Sequence, residues 1–201
     1  MTTSPTISAD QVKELRALTG AGFMDCKRAL EASGGDVEGA VAYLREQGLA
    51  AAQKREGREA REGLVSSYIH TGGRIGVLIE VNCETDFVAR TEEFQDLVRN
   101  LAIQVAGLDA QYPTLDSVPP EVLEAKRAEL RADPQVQAKP SAIQDHIVEG
   151  QLTKWLSGAI LTEQPFRDTE QTVGQLISEA IARTGENIKV RRFVRYELGG
   201  D

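Results

Sequence analysis

Cysteine, histidine and aromatic residues are scarce in this sequence: two cysteines, two histidines and 5% aromatics in 201 residues. Cys26 and Cys83 lie far apart and neither belongs to a CxxC pair, a usage that suits a reducing compartment rather than a disulfide framework. No apolar run approaches the roughly 20 residues of a membrane span. The opening stretch MTTSPTISAD has neither the basic region and apolar core of a signal peptide nor the arginines of a transit peptide. These absences predict a cytoplasmic protein with no membrane association. Positive charge is also short: the formal net charge is -8 and the pI is near 5.0. An acidic surface repels phosphate backbones, which argues against direct nucleic-acid binding.

The motifs of catalysis are missing as well. There is no GxxxxGK[ST] phosphate loop, no GxGxxG behind a strand and no GxSxG nucleophile elbow. His70 and His146 lack metal-ligand spacing to each other or to the cysteines. Both cysteines fall on apolar faces, where packing outweighs reactivity. The carboxylates are plentiful but sit on solvated helix surfaces. No catalytic residue, metal site or cofactor is expected, and a binding role is favoured over an enzyme.

What is present is a 41% hydrophobic chain with clear punctuation. Ser8 and Gln11 have capping-box spacing, so a helix starts near Ala9, carrying Val12 and Leu15 on one face. Thr19–Gly22 breaks it, and a second helix runs from about Phe23 to Ala32. Gly34-Gly35 ends the second, and Asp36 caps a third with Val37, Ala40, Val41 and Leu44 on one face. Lys54–Gly63 alternates charges without an apolar stripe and reads as a solvated helical extension or linker. The period then becomes two: strands at 64–70 and 75–83, joined by a turn at Gly72-Gly73, and a third at 188–197. Between them come a helix capped by Thr91, a proline-bearing loop over 107–120, a short helix from about Pro120 to Arg131, a long helix at 141–160 with a Ser141/Gln144 capping box, and a helix from Val173 closed by Gly185. The expectation is an α+β protein, in which residues 1–53 form a three-helix domain, 54–63 a charged linker, and 64–201 a small antiparallel sheet covered by helices.

Two places resist a bland reading. ETDFVAR (84–90) sets Phe87 in a polar turn behind the best strand signal. Its spacing of seven to Phe94 favours core packing, whereas a strand-to-helix junction at Thr85-Asp86 favours projection outward. Phe23 and Met24 are adjacent, so a helix cannot turn both into one core, and one of the two should be exposed.

Three stretches, VKELRALTGAGFMDCKRAL (12–30), IEVNCETDFVAR (79–90) and VGQLISEAIARTGENIKVRRFVRYELG (173–199), closely resemble bacterial elongation factor Ts. HIVEGQLTKWL (146–156) and EQPF (163–166) also match, in family order from about Ala9 to Gly199. The resemblance implies a guanine-nucleotide exchange factor that binds elongation factor Tu in its GDP-bound and nucleotide-free states and promotes GDP release, acting by binding rather than as an enzyme. It assigns Thr85, Asp86, Phe87 and Val88 to the family's TDFV motif. There Phe87, with Asp86 beside it, inserts between two helices of the partner and disturbs the groups that hold Mg²⁺ near the nucleotide phosphates. It likens the N-terminal module to a ubiquitin-associated domain and places Leu15, Phe23 and Met24 where the family docks on its partner.

The chain resembles a short form, without the second sheet subdomain and helical-hairpin protrusion of longer members. The small sheet, with its exposed edge, suggests a homodimer. The competing expectation is a scaffold that binds other proteins through the three-helix domain, with Phe87 in the core.

Overall fold

A computed structural model describes residues 7–167, 169 and 171–200. Residues 1–6, the head of the stretch tested for a targeting signal, lie outside the described residues. The described elements are α1 (Ala9–Thr19), α2 (Phe23–Ala32), α3 (Val37–Arg55), β1 (Glu62–Ile69), β2 (Ile75–Cys83), α4 (Asp86–Ala89), α5 (Glu92–Leu108), α6 (Pro120–Ala132), α7 (Pro134–Gln137), α8 (Ser141–Ala159), α9 (Val173–Thr184) and β3 (Lys189–Glu197), with single 3-10 turns at Leu115–Ser117 and Leu161–Glu163. The α+β class expected from the sequence is the one found. The chain divides into two compact units. No helix among the described residues is long and apolar enough to cross a membrane.

The first unit comprises the chain up to Gly63, Asn82–Phe94 and Gln175–Lys189. Ser8 caps α1 through the reciprocal bond with Gln11, and Asp36 caps α3 by accepting from the Gly39 amide at 2.7 Å. Val12, Leu15, Cys26, Ala29, Leu30 and Ala40 are buried together, with Val37, Val41 and Leu44 half-covered around them. Gly20 ends α1 with φ +68, and a Cβ there would come within 3.2 Å of Arg183 Cδ, so both backbone and space call for glycine. Arg183 pairs with Glu93 and Arg45 with Glu179, joining α9 to the start of α5 and to α3.

The second unit holds Leu64–Val81, Gln95–Gly174 and the chain from Val190. The three strands order as β1-β2-β3, an antiparallel sheet turned at Gly72 and Gly73, both at positive φ. On β2 the alternation is clean: Val77, Ile79, Val81 and Cys83 are buried, Leu78 is not. On β3 it shifts. Val190 is buried, but further along Phe193 and Arg195 face inward while Val194 and Tyr196 face out. Unlike the exposed Arg191 and Arg192 before it, Arg195 is thus half-buried, and it is paired. Its guanidinium reaches the Ala106 carbonyl at 3.4 Å and Asp109 at 3.4 Å.

Helices α6 and α8 pack side by side, braced by Arg127–Glu149 at 3.0 Å and Arg131–Asp145 at 2.8 Å. The Ser141/Gln144 capping box does not form. Pro140 is the N-cap, and Gln144 reaches back to the Lys139 and Gln137 carbonyls at 2.8 and 3.3 Å. With Pro140 as N-cap, Ser141 is already the first helical residue, so the Ser-to-Gln spacing is one position out of register for the box.

Candidate partner-binding site

β2 ends at Cys83, and Thr85 keeps the extended backbone of a strand, at φ -128 and ψ 152, before the chain coils into the single turn of α4. The Thr85 hydroxyl accepts from the Val88 amide at 3.3 Å, which caps that turn. Val88 and Ala89 face inward at 7% and 5% exposure, and Phe87, on the other side, is 79% exposed. Asp86 lies in the first turn, where the helix dipole favours an acid, and pairs with Arg90 at 2.8 Å. Both partners are exposed, so the pair contributes little stability. Thr91 then caps α5 by accepting from the Phe94 amide at 3.3 Å.

The turn is held from a distant part of the chain. One carboxylate oxygen of Glu186 accepts the Glu84 and Thr85 amides, both at 3.0 Å, and the other accepts the Thr85 hydroxyl at 2.6 Å. In return, Glu84 accepts the Asn187 amide at 2.6 Å. The buried Asn187 side chain donates to the Arg58 and Glu56 carbonyls at 2.7 and 3.3 Å, and Arg55 donates to the Gly185 carbonyl at 2.9 Å. Beneath the turn, the Cys83 thiol donates to the Thr85 carbonyl at 3.1 Å. Burial, and after it the Glu186 charge, pushes its pKa up to about 11. Cys83 is therefore a packing group and not a thiolate.

In the three-helix bundle, Leu15 is fully buried and belongs to the core. Phe23 and Met24 are both exposed, at 42% and 61%, which differs from the expectation that one of them turns inward. The inward stripe of α2 is Cys26, Ala29 and Leu30. Phe23 sits one turn ahead of it and is only partly covered. Leu18, on α1, is exposed too. Among the described residues, no group of three or more His, Cys, Asp or Glu side chains is placed to hold a metal ion.

A family model described as "Elongation factor TS" matches residues 36–200. The chain belongs to the elongation factor Ts family. Elongation factor Ts of Moorella thermoacetica is 56% identical over 194 residues, which span 96% of each chain. That of Caldanaerobacter subterraneus is 55% identical, over 96% of this chain and 97% of the relative, and that of Carboxydothermus hydrogenoformans 53%, over 96% and 89%.

Within this elongation factor Ts chain, sequence reasoning missed Glu186 and Asn187 as the residues that anchor the TDFV turn. Their bonds to Glu84 and Thr85 span 101 to 103 positions, so no local spacing reveals them. The visible signal was a polar pair, Glu-Asn, directly after a helix-closing glycine.

Proposed function

We propose that this chain is a guanine-nucleotide exchange factor for the translational GTPase elongation factor Tu. It works by binding, makes and breaks no bond, and does this work in the cytoplasm. Family membership supports the reading, and the observation that carries it is Phe87, 79% exposed on a turn whose backbone is fixed on every side. A rigid aromatic presented to solvent gains its binding energy by entering a pocket in another molecule. Thr85 and Val88 hold the turn, while Asp86 and Phe87 insert between two helices of the partner and disturb the groups around Mg²⁺ and the nucleotide phosphates. If the pocket opens only when that metal site is distorted, nucleotide and exchange factor weaken each other's binding reciprocally. Phe23 and Met24 supply a second docking surface, with Leu15 fixing the bundle that presents them. The exposure of Phe87 disfavours the scaffold reading, which needs that ring in the core.

The test is release of a fluorescent GDP analogue from elongation factor Tu into excess GDP, followed by stopped flow. The release rate should climb with the concentration of this chain. A rate that stays flat to micromolar concentrations rejects the reading.

The functional unit is proposed to be a homodimer joined through the open face of the sheet. Val65, Ile69, Leu78, Val194 and Tyr196 are exposed there, and Ile69 lies so close over Gly76 that a Cβ there would meet its Cδ1 at 3.1 Å. The charges on this face, Glu80 and Arg192, pair with each other at 2.8 Å. Two copies of a chain with net charge -8 can therefore meet on a patch without net charge. Light scattering at micromolar concentration should give twice the 21.9 kDa chain mass, and Leu78→Asp should return it to one. A wild-type monomer with full exchange activity excludes the dimer.

A further inference from the structure

We propose that Glu186 is the positioning residue of the TDFV turn: its carboxylate fixes the backbone from which Phe87 projects, so that the ring meets its partner already oriented. The proposal rests on the exchange-factor reading above. The turn itself poses a physical difficulty. α4 is four residues long, and one helical turn fixes several dihedrals for a single hydrogen bond, so it does not persist unaided. Phe87 contributes nothing to holding it, because its own side chain is exposed. Val88 and Ala89 anchor the inward side, but the chain must also be held where it leaves β2.

Glu186 holds it there. A carboxylate has only acceptors, and this one receives three donors from two consecutive residues, at 2.6 to 3.0 Å. Hydrogen bonds to an ionised acceptor are roughly twice as strong as neutral ones. The hydroxyl bond also has a directional effect. Thr85 has one hydroxyl proton, and giving it to Glu186 leaves a lone pair aimed at the Val88 amide. Glu186 thereby sets the rotor of the residue that caps α4. The carboxylate is itself fixed, since the Glu186 amide donates to the Thr184 hydroxyl at 3.3 Å and the flanking Gly185 and Asn187 are tied to Arg55, Arg58 and Glu84. An anchor preset in its bound geometry avoids the cost of ordering it during association.

The experiment is GDP-analogue release from elongation factor Tu at sub-saturating concentrations of the full chain. It compares wild type, Glu186→Ala, Glu186→Gln, Phe87→Ala and the Phe87→Ala double variants. Loss of a cap and its charged acceptor should slow Glu186→Ala on the order of tenfold. Glu186→Gln, which keeps one acceptor oxygen, should fall between that and wild type. Because Glu186 acts through Phe87, each double variant should be no slower than Phe87→Ala alone. A merely structural role would instead multiply the two losses, and that result overturns the proposal, as does a folded Glu186→Ala with wild-type rates. Should Glu186→Ala fail to fold, the near-isosteric Glu186→Gln and its double variant decide by the same rule. A wild-type chain that leaves release unchanged rejects the exchange-factor reading before any Glu186 variant is run, and the proposal falls with it.

Discussion

Phe87→Ala should cost the complex with elongation factor Tu about 2–4 kcal/mol, the range for truncating a central interface anchor. At 1.4 kcal/mol per decade this is a loss of roughly 30- to 700-fold, read as a fall in the second-order rate of accelerated GDP release. The same substitution should leave the fold almost untouched, because an exposed side chain away from the core moves stability by no more than about 0.5 kcal/mol. The two readouts together give the experiment its force. A variant that melts like wild type and exchanges poorly identifies Phe87 as an interface anchor. A variant that melts like wild type and exchanges equally well leaves the family intact and removes the wedge. Asp86 should matter less than Phe87, since its pair with Arg90 is already formed in the free chain and is exposed to solvent.

Gln164→Ala should have the opposite profile, with a large loss of stability and little change in exchange at low temperature. Gln164 is 2% exposed and lies in the EQPF stretch, which no proposed contact uses. Its amide donates to the Gly158 carbonyl at 2.6 Å and the Leu108 carbonyl at 3.2 Å, near the C-terminal ends of α8 and α5. Its oxygen accepts from Gln104, itself buried, at 3.2 Å, and Gln104 also donates to the Pro165 carbonyl at 3.0 Å. Helix ends leave carbonyls without intrahelical partners, and here one side chain serves two of them at once. Truncation leaves buried groups unpaired beside a small cavity, for a cost of about 3–5 kcal/mol. Urea denaturation should show a lower midpoint at an unchanged slope. An unshifted midpoint would mean that water takes over those bonds.

Much of this was legible in the sequence because local chemistry decides it. Ser8, Asp36 and Thr91 each cap the helix expected of them, and the period of two along β2 gives its buried side without ambiguity. The position of Phe87 was less legible. Its spacing of seven to Phe94 suggests one continuous apolar stripe, but α4 and α5 are separate helices with Thr91 between them. The break shifts the phase, so Phe94 is buried and Phe87 is not. On α2, Phe23 and Met24 mislead for a related reason. Periodicity says which faces differ, but not how far along the helix the covering neighbour extends. The pairing of Glu186 with Thr85 could not be read at all, since a contact between residues 101 apart depends on the tertiary fold and leaves no local trace.

That long-range pairing has a consequence for the order in which the protein is made. A ribosome releases the chain from its N-terminus, and the helices of the bundle can form as they emerge. The turn at Thr85 emerges early too, but its carboxylate partner follows 101 residues later. Until then the Glu84 and Thr85 amides face water and Phe87 has no fixed orientation. A nascent chain that carries the whole TDFV stretch thus still lacks the carboxylate that fixes it, and the turn is set only after Glu186 has been made and has folded back onto Thr85.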